Sequence, residues 1–175
     1  MREDLSAVIR YDIGACGPHL PGLLLVAERG QGVCAILMGD DEDGLRAELR
    51  LHFPQGYLHH DPAEMAAPLA AVQDMLADPQ GGLDWPLEVA QGTPFQQQVW
   101  QALRQIPVGQ TVSYAELAQR IGQPRAARAV ALACAANPLA VAVPCHRVVR
   151  SDGGLSGYRW GEARKQRLLE REVRH

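Results

Sequence analysis

The pattern of apolar and polar positions predicts that the first half of the chain opens with a small sheet. Three apolar runs rich in β-branched residues are separated by glycine and proline turns, which is typical of strands. The predicted strands, which we expect to pair antiparallel, cover residues 6–13, 22–28 and 33–38.

After these strands the spacing of apolar residues becomes helical. One helix is predicted over 42–53, where it ends before a proline, and a second over 63–77. Residues 59–62 are interpreted as a turn between the two helices, and residues 87–90 as a returning strand. This half carries no catalytic constellation of its own, so its predicted role is to support the rest of the chain.

The second half is predicted to be mostly helical. Thr93 and Gln96 match a capping box, and Pro94 suits the first turn of the helix that follows. Ser113 and Glu116 match a second capping box, which starts a short helix.

Gly122 ends that short helix, and another helix is predicted over 124–136. Two short helices joined by a tight turn predict a helix-turn-helix. A last helix is predicted to start near Glu162. Its predicted packed face consists of Leu168, Leu169 and Val173.

Composition excludes several classes of protein. A hydrophobic share of 47% excludes a disordered chain, and no run approaches the ~18 apolar residues of a membrane span. The first residues do not resemble a signal peptide. Because the four cysteines form no CxxC pair, a zinc knuckle or disulfide framework is disfavoured, and a cytoplasmic location is predicted. A metal site made by Cys16, His19 and Cys34 with a later histidine is the less favoured alternative, so we predict no metal.

Charge is distributed unevenly between the halves. Residues 1–90 carry 5 basic and 15 acidic residues, whereas residues 91–175 carry 12 basic and 5 acidic ones. The net charge of −3 hides this difference. We expect a polyanion to be attracted to the second half and repelled by the first. Two complementary faces that pack together are the alternative explanation.

Residues 144–149 carry the most distinctive chemistry. Cys145 and His146 are adjacent between two short apolar segments. Pro144 interrupts the extended segment before them, so Cys145 is expected on a turn. An adjacent imidazole can take the proton of a thiol and leave the nucleophilic thiolate. From these residues alone, a buried structural cysteine is an equal alternative.

A long, ordered set of matches favours the nucleophile. The matching segments are 92–104, 106–107, 111–114, 125–130, 136–138, 144–147, 153, 155–158 and 165. Together they resemble the O6-alkylguanine-DNA alkyltransferases (methylated-DNA–protein-cysteine methyltransferases), above all the bacterial Ada-type members. The resemblance is dense over 92–172. It is looser over 1–91, where residues 32–41 carry most of it.

The resemblance implies a fold of two domains. Residues 1–91 form an α/β supporting domain with a small antiparallel sheet of the ribonuclease-H-like type. Residues 92–175 form a mostly α domain with a helix-turn-helix, which binds DNA and accepts the alkyl group.

The resemblance also implies DNA repair by direct reversal. The alkyl group of O6-alkylguanine, or of O4-alkylthymine, in double-stranded DNA moves to Cys145, which is not regenerated. We therefore expect a single-turnover methyltransferase that needs no cofactor, acts as a monomer and has no membrane partner.

Roles at the acceptor site follow from the same resemblance. His146 relays the proton of Cys145 through water to Glu172, and Asn137 braces the turn that carries the thiol. From the sequence alone, a solvated charge is the preferred interpretation of Glu172, and a helix cap is an alternative for Asn137. Lys165 holds the base pocket together. The residues implied to line that pocket are Val148, Tyr158, Arg159 and Trp160.

On the DNA side, the resemblance makes Arg128 the finger that fills the space of a flipped-out nucleotide. Tyr114 promotes the rotation and donates a proton or hydrogen bond to the leaving guanine. The second helix of the pair offers alanines instead of base-reading side chains, which suits the minor groove. The other implied DNA contacts are Ser113, Arg125, Ala126 and Ala127. A buried alanine-rich helix is the alternative, and it does not account for the two arginines.

Two features distinguish this chain from other family members, and three other functions compete with DNA repair. Arg159 and Trp160 follow the Ada-type pattern, which leaves the range of alkyl groups open. No phosphotriester-repair domain precedes residue 1, so either the gene encodes the guanine-repairing part alone or the chain is a fragment, and transcriptional activation is not predicted. A non-catalytic lesion binder of this family lacks the acceptor cysteine, which is present here as Cys145. A helix-turn-helix regulator needs base-reading side chains on its second helix, where this chain has alanines. A cysteine hydrolase needs an Asn or Asp partner after the histidine, and no such residue follows here in a matching context.

Overall fold

The computed structural model describes residues 8–30, 32–89, 91–155 and 157–173, which form two units that divide between residues 89 and 90. The first unit is built on a four-stranded sheet of order β3-β2-β1-β4. The strands are β1 (Val8–Ala15), β2 (Leu23–Arg29), β3 (Gly32–Gly39) and β4 (Tyr57–His60). The three predicted strands are confirmed, except that residues 6 and 7 lie outside the described residues. Residues 24–27 of β2 and 33–38 of β3 are all buried and form the centre of the core.

The prediction of a purely antiparallel sheet was wrong at one edge. β1 pairs antiparallel with β2, and β2 with β3, but β4 lies parallel to β1. Of residues 59–62, interpreted as a turn, the first two belong to β4. β4 is short, mostly polar and exposed on the sheet edge, so it lacks the alternating pattern that identifies a strand.

Two helices cover the sheet of the first unit. α1 (Glu42–His52) packs on β3 with Leu45 and Leu49 buried, and α2 (Pro62–Ala77) packs on β1 and β2. The predicted strand 87–90 was also wrong, because Leu87 makes an isolated parallel bridge with Val33. The preceding Pro86 has no N–H to extend that pairing, and residue 90 lies outside the described residues.

The second unit is mostly helical, as predicted. Its helices are α3 (Pro94–Leu103), α4 (Tyr114–Arg120), α5 (Ala127–Ala135) and α6 (Glu162–Val173). The capping box of α3 is confirmed, with both reciprocal bonds between Thr93 and Gln96 present at 3.0 and 3.1 Å. The Ser113 hydroxyl caps α4 by accepting from the Glu116 amide at 3.0 Å. Two short strands, β5 (Val112–Ser113) and β6 (Val148–Val149), pair in parallel.

Two predictions about these helices need correction. α5 begins at Ala127 and not at residue 124, because the Ala126 amide donates to the Gln123 carbonyl and closes a separate turn there. On α6, Val173 is exposed and the packed face instead carries Lys165, Leu168 and Glu172. Hydropathy misses this face because two of its three residues are charged. Within the described ranges, every helix is too short or too polar to cross a membrane.

Candidate active site

Cys145 opens a 3-10 turn (Cys145–Arg147) that leads into β6, which confirms the predicted turn. Its side chain is only 4% exposed. The Cys145 amide donates to the Val143 carbonyl at 2.8 Å, so the backbone turns sharply at Pro144, which lies between them. The turn therefore holds the thiol inside the second unit.

Asn137 fixes the segment that leads to this turn. It is fully buried just beyond α5, and its side-chain amide donates to the Val143 carbonyl at 2.8 Å and to Cys145 Sγ at 3.3 Å. Its side-chain oxygen accepts from the Leu139 amide at 2.9 Å. The Asn137 side chain thus links Leu139 and Val143, at the two ends of this segment, to the sulfur of Cys145.

The same segment contains a strained residue. Val141 has a φ of 67°, and the Ala142 amide donates to the Ala140 carbonyl at 2.7 Å around it, which makes a rare γ-turn. A β-branched residue in this region costs on the order of 1–3 kcal/mol. The bonds from Asn137 help to offset that cost and keep the segment in one conformation.

Behind the thiol, a buried carboxylate joins an imidazole and a guanidinium. Glu172 is 3% exposed, and its Oε1 lies 2.7 Å from His146 Nε2. Arg147 donates to the same carboxylate from Nε at 3.1 Å and from Nη2 at 2.9 Å. The Arg147 guanidinium also donates to the Ile106 carbonyl at 2.7 Å. α6 and the 3-10 turn are therefore locked together through charge-assisted hydrogen bonds.

The electrostatics of this group keep the carboxylate ionised and the imidazole neutral. Burial raises the pKa of Glu172, but the hydrogen bonds from His146 and Arg147 outweigh burial and bring that pKa to about 2. Burial lowers the pKa of His146, and the hydrogen bond to Glu172 opposes this only in part. A neutral imidazole that donates from Nε2 to the carboxylate leaves Nδ1 as an acceptor. His146 Nδ1 is buried and has no hydrogen-bond partner among the described residues.

The thiol itself is protonated at rest. Burial raises the pKa of Cys145 above its ordinary value, while the hydrogen bond from Asn137 and the charge of Lys165 lower it. Lys165 is almost fully buried and donates to the Val148 carbonyl at 2.5 Å. Its ammonium group thus braces β6 and at the same time favours the thiolate.

The segment before α6 brings aromatic rings to the same region. The Tyr158 and Trp160 rings meet edge to face at 5.5 Å, and Lys165 Nζ lies 5.7 Å from the Tyr158 ring centre. Arg159 lies 5.6 Å from the Trp160 ring centre and donates to the Ala135 carbonyl at 3.2 Å. The Tyr158 hydroxyl and the Trp160 indole nitrogen are buried without a hydrogen-bond partner among the described residues.

Tyr114 begins α4 and lies half-buried near the thiol. Burial raises its pKa to about 12, and the neighbouring thiols of Cys134 and Cys145 act in the same direction. Its hydroxyl is therefore protonated at neutral pH and available as a donor.

The four residues assigned to DNA on the second helix of the pair lie around the start of α5. Arg125 and Arg128 are exposed, and Ala126 and Ala127 are half-buried. The opposite face of α5 is buried against the rest of the second unit, with contacts to α3 and α4. The alternative of a buried alanine-rich helix therefore fits only one face of α5, because both arginines are exposed to solvent.

Sequence reasoning gave no role to two buried residues of this site. Arg147 pairs with Glu172. Its position beside His146 was the available signal in the sequence. If an arginine there is buried, it needs a carboxylate partner, and this half of the chain has only five acidic residues. Cys134 is buried on α5 and contributes to the raised pKa of Tyr114. Among the described residues, no three His, Cys, Asp or Glu side chains form a group that could hold a metal ion.

Comparisons with known proteins agree on one family. Residues 94–174 match the model of the 6-O-methylguanine DNA methyltransferase, DNA binding domain. The bifunctional transcriptional activator/DNA repair enzyme Ada of Escherichia coli is 51% identical over 170 residues, which are 96% of this chain and 46% of that protein. A methylated-DNA–protein-cysteine methyltransferase of Salmonella typhimurium is 56% identical over 81 residues, which are 46% of this chain and 47% of that protein.

A solved structure matches over nearly the whole chain. The crystal structure of Mycobacterium tuberculosis OGT in complex with DNA has a TM-score of 0.71 and 36% sequence identity, and the match covers 95% of this chain and 93% of that one. The chain spans about half the length of the two curated relatives above.

Proposed function

Because this chain belongs to the O6-methylguanine DNA methyltransferase family, we propose that it repairs O6-alkylguanine in DNA by moving the alkyl group to Cys145. The observation that carries the proposal is the buried thiol beside Asn137, with the ionised Glu172 behind the neighbouring His146. The names of the two curated relatives, a DNA repair enzyme and a protein-cysteine methyltransferase, support the same reaction.

The reaction balances without a cofactor. Cys145 gives its proton, through water, to His146 Nδ1, and the imidazolium that forms is stabilised by Glu172. The thiolate attacks the alkyl carbon, a sulfur–carbon bond forms, and the bond from that carbon to guanine O6 breaks. The electron pair stays on the guanine, which takes a proton or hydrogen bond from Tyr114. The thioether is stable, so each molecule reacts once. O4-alkylthymine presents the same bond to the thiol and is proposed as a second substrate.

We propose that α4 and α5 act as a helix-turn-helix in the minor groove of duplex DNA. The exposed Arg125 and Arg128 at the start of α5, with small alanines beside them, suit close approach to the backbone. The target base must leave the stack to reach a thiol that is 4% exposed, and Arg128 fills the space it leaves. The solved relative bound to DNA supports DNA as the partner. The protein acts as a monomer, and residues 1–91 support the residues that react.

The decisive experiment is a mass measurement. After reaction with duplex DNA that contains O6-methylguanine, the peptide that holds Cys145 is expected to gain one CH2, and the Cys145→Ser variant is expected to gain none. The peptides of Cys16, Cys34 and Cys134 serve as internal controls, since none of these three thiols is adjacent to a histidine in the sequence. Label on one of these three, or several turnovers per molecule, would refute the proposal.

Base flipping has its own test. Arg128→Ala is expected to slow repair in duplex DNA far more than the reaction with free O6-methylguanine base, because the finger acts only when a base leaves the stack. Equal losses with both substrates would make Arg128 a structural or pocket residue. Arg104→Ala, which removes an exposed arginine beyond the end of α3, is the control for a change in charge alone.

A further inference from the structure

The exposed face of α5 carries one large apolar side chain that the core does not use. α5 packs through Val130, Ala133 and Cys134, which are all buried. Leu132 points away from this face and is 67% exposed. It lies four residues after Arg128, so the two side chains follow each other on one stripe of the helix.

Single exposed leucines are common on protein surfaces and need no explanation by themselves. The surroundings of Leu132 set it apart. α5 contains no acidic residue, Arg128 is exposed one turn earlier, and Arg125 is exposed just before the helix. Such a face attracts a polyanion and not a second apolar protein surface.

We propose that Leu132 lies against the sugar edges of the minor groove when α5 binds duplex DNA. This inference rests on the proposed function and adds a contact that strengthens binding without carrying charge. Proteins that bind the minor groove frequently place apolar side chains at its base steps. Arg128 then acts at the flipped nucleotide, and Leu132 contacts the groove one helical turn further along.

The test compares Leu132→Ser with the wild type in DNA binding over a range of salt concentrations. Fluorescence anisotropy with a labelled duplex is expected to show a Kd about 10-fold higher for the variant, from the loss of buried apolar area. The dependence of log Kd on log salt is expected to stay unchanged, because no phosphate contact is lost. Arg125→Ala is the opposite case and is expected to reduce that slope by about 1.

Two controls separate a DNA contact from other effects. Leu51→Ser removes a leucine that is 79% exposed on α1 of the first unit, and it is expected to leave the Kd unchanged. Leu132→Ser is expected to react with free O6-methylguanine base at the wild-type rate, because Leu132 lies on the exposed face of α5, away from the buried thiol.

An unchanged Kd in Leu132→Ser, or an equal loss in Leu51→Ser, would overturn this inference. These outcomes are distinct from failure of the proposed function. If wild-type protein binds the duplex but Cys145 gains no methyl group, the proposed repair reaction fails while the Kd comparison still decides the role of Leu132. If wild-type protein does not bind duplex DNA, both proposals are refuted.

Discussion

Replacement of Glu172 by glutamine removes one charge from the most heavily bonded buried group of the site. Glutamine keeps the size of the side chain, but Arg147 then lies buried without its carboxylate. The fall in the pKa of Glu172 from 4.5 to about 2 corresponds to about 3 kcal/mol of stability. Breaking a buried ion pair on one side costs about 3–5 kcal/mol in other proteins, which agrees. We therefore expect Glu172→Gln to lose about 3 kcal/mol of unfolding free energy at pH 7.

Urea unfolding followed by circular dichroism measures this loss, and pH gives its signature. The pKa of Glu172 is depressed in the folded state, so its stabilisation is complete above pH 4.5 and is lost as pH falls towards 2. The difference between wild type and variant is expected to shrink over that interval. Glu170→Gln, an exposed change on the same helix, is expected to stay within about 0.5 kcal/mol of wild type. A loss below about 1 kcal/mol at pH 7, or one that persists at pH 2, would refute the reasoning.

The same variant tests the proton relay once stability is separated from chemistry. The double variant Glu172→Gln with Arg147→Met leaves no unpaired buried charge, so it is expected to recover much of the lost stability. Its Cys145 is still expected to react more slowly than wild type with iodoacetamide at pH 7, because His146 lacks the carboxylate. The deficit is expected to disappear above the pKa of the thiol, which burial raises above the ordinary value. Wild-type reactivity in the folded double variant would remove Glu172 from the relay.

Three further changes probe the surroundings of the thiol. Asn137→Ala is expected to cost about 2–3 kcal/mol in urea unfolding and to raise the pKa of Cys145 in pH-dependent alkylation, and an unchanged pKa would contradict the bond to sulfur. Lys165→Met removes a cation that lowers the pKa of Cys145, so alkylation at pH 7 is expected to slow, and a faster rate would contradict this. Tyr158→Phe removes a buried hydroxyl that has no hydrogen-bond partner among the described residues and is expected to raise stability by about 1 kcal/mol in the same unfolding assay, whereas a loss would reveal a bond to that hydroxyl.

Local sequence signals predicted the parts of the fold that local physics determines. The capping box at Thr93 fixed the start of α3, and Pro144 fixed the turn at Cys145, because both act within a few residues. β4 escaped prediction because its place is set by pairing with β1, about 50 residues earlier, and not by its own polar sequence. The start of α5 was misplaced because the Ala126 amide donates to the Gln123 carbonyl and closes a separate turn before the helix.

The candidate site divides in the same way. Cys145 and His146 stand out as neighbours in the sequence, so the proposed nucleophile and its proposed base were recognisable. Glu172, by contrast, looks like a surface charge on a charged helix, and only the family resemblance suggested a role. Its burial depends on Arg147 and His146, 25 and 26 residues earlier, which no periodicity within α6 can reveal.

The protonation states indicate how the thiol of the proposed nucleophile is protected from small molecules in solution. A thiol with a raised pKa that is almost fully buried is a poor nucleophile towards small electrophiles in solution. The neutral His146 beside it can accept the proton only if the imidazolium is stabilised, and Glu172, with a pKa of about 2, is ionised at any physiological pH. The hydrogen bonds from His146 and Arg147 hold that carboxylate ionised although it is buried. Arg147 also lowers the pKa of His146, so the same guanidinium that helps to keep Glu172 ionised opposes the imidazolium that the proposed relay needs.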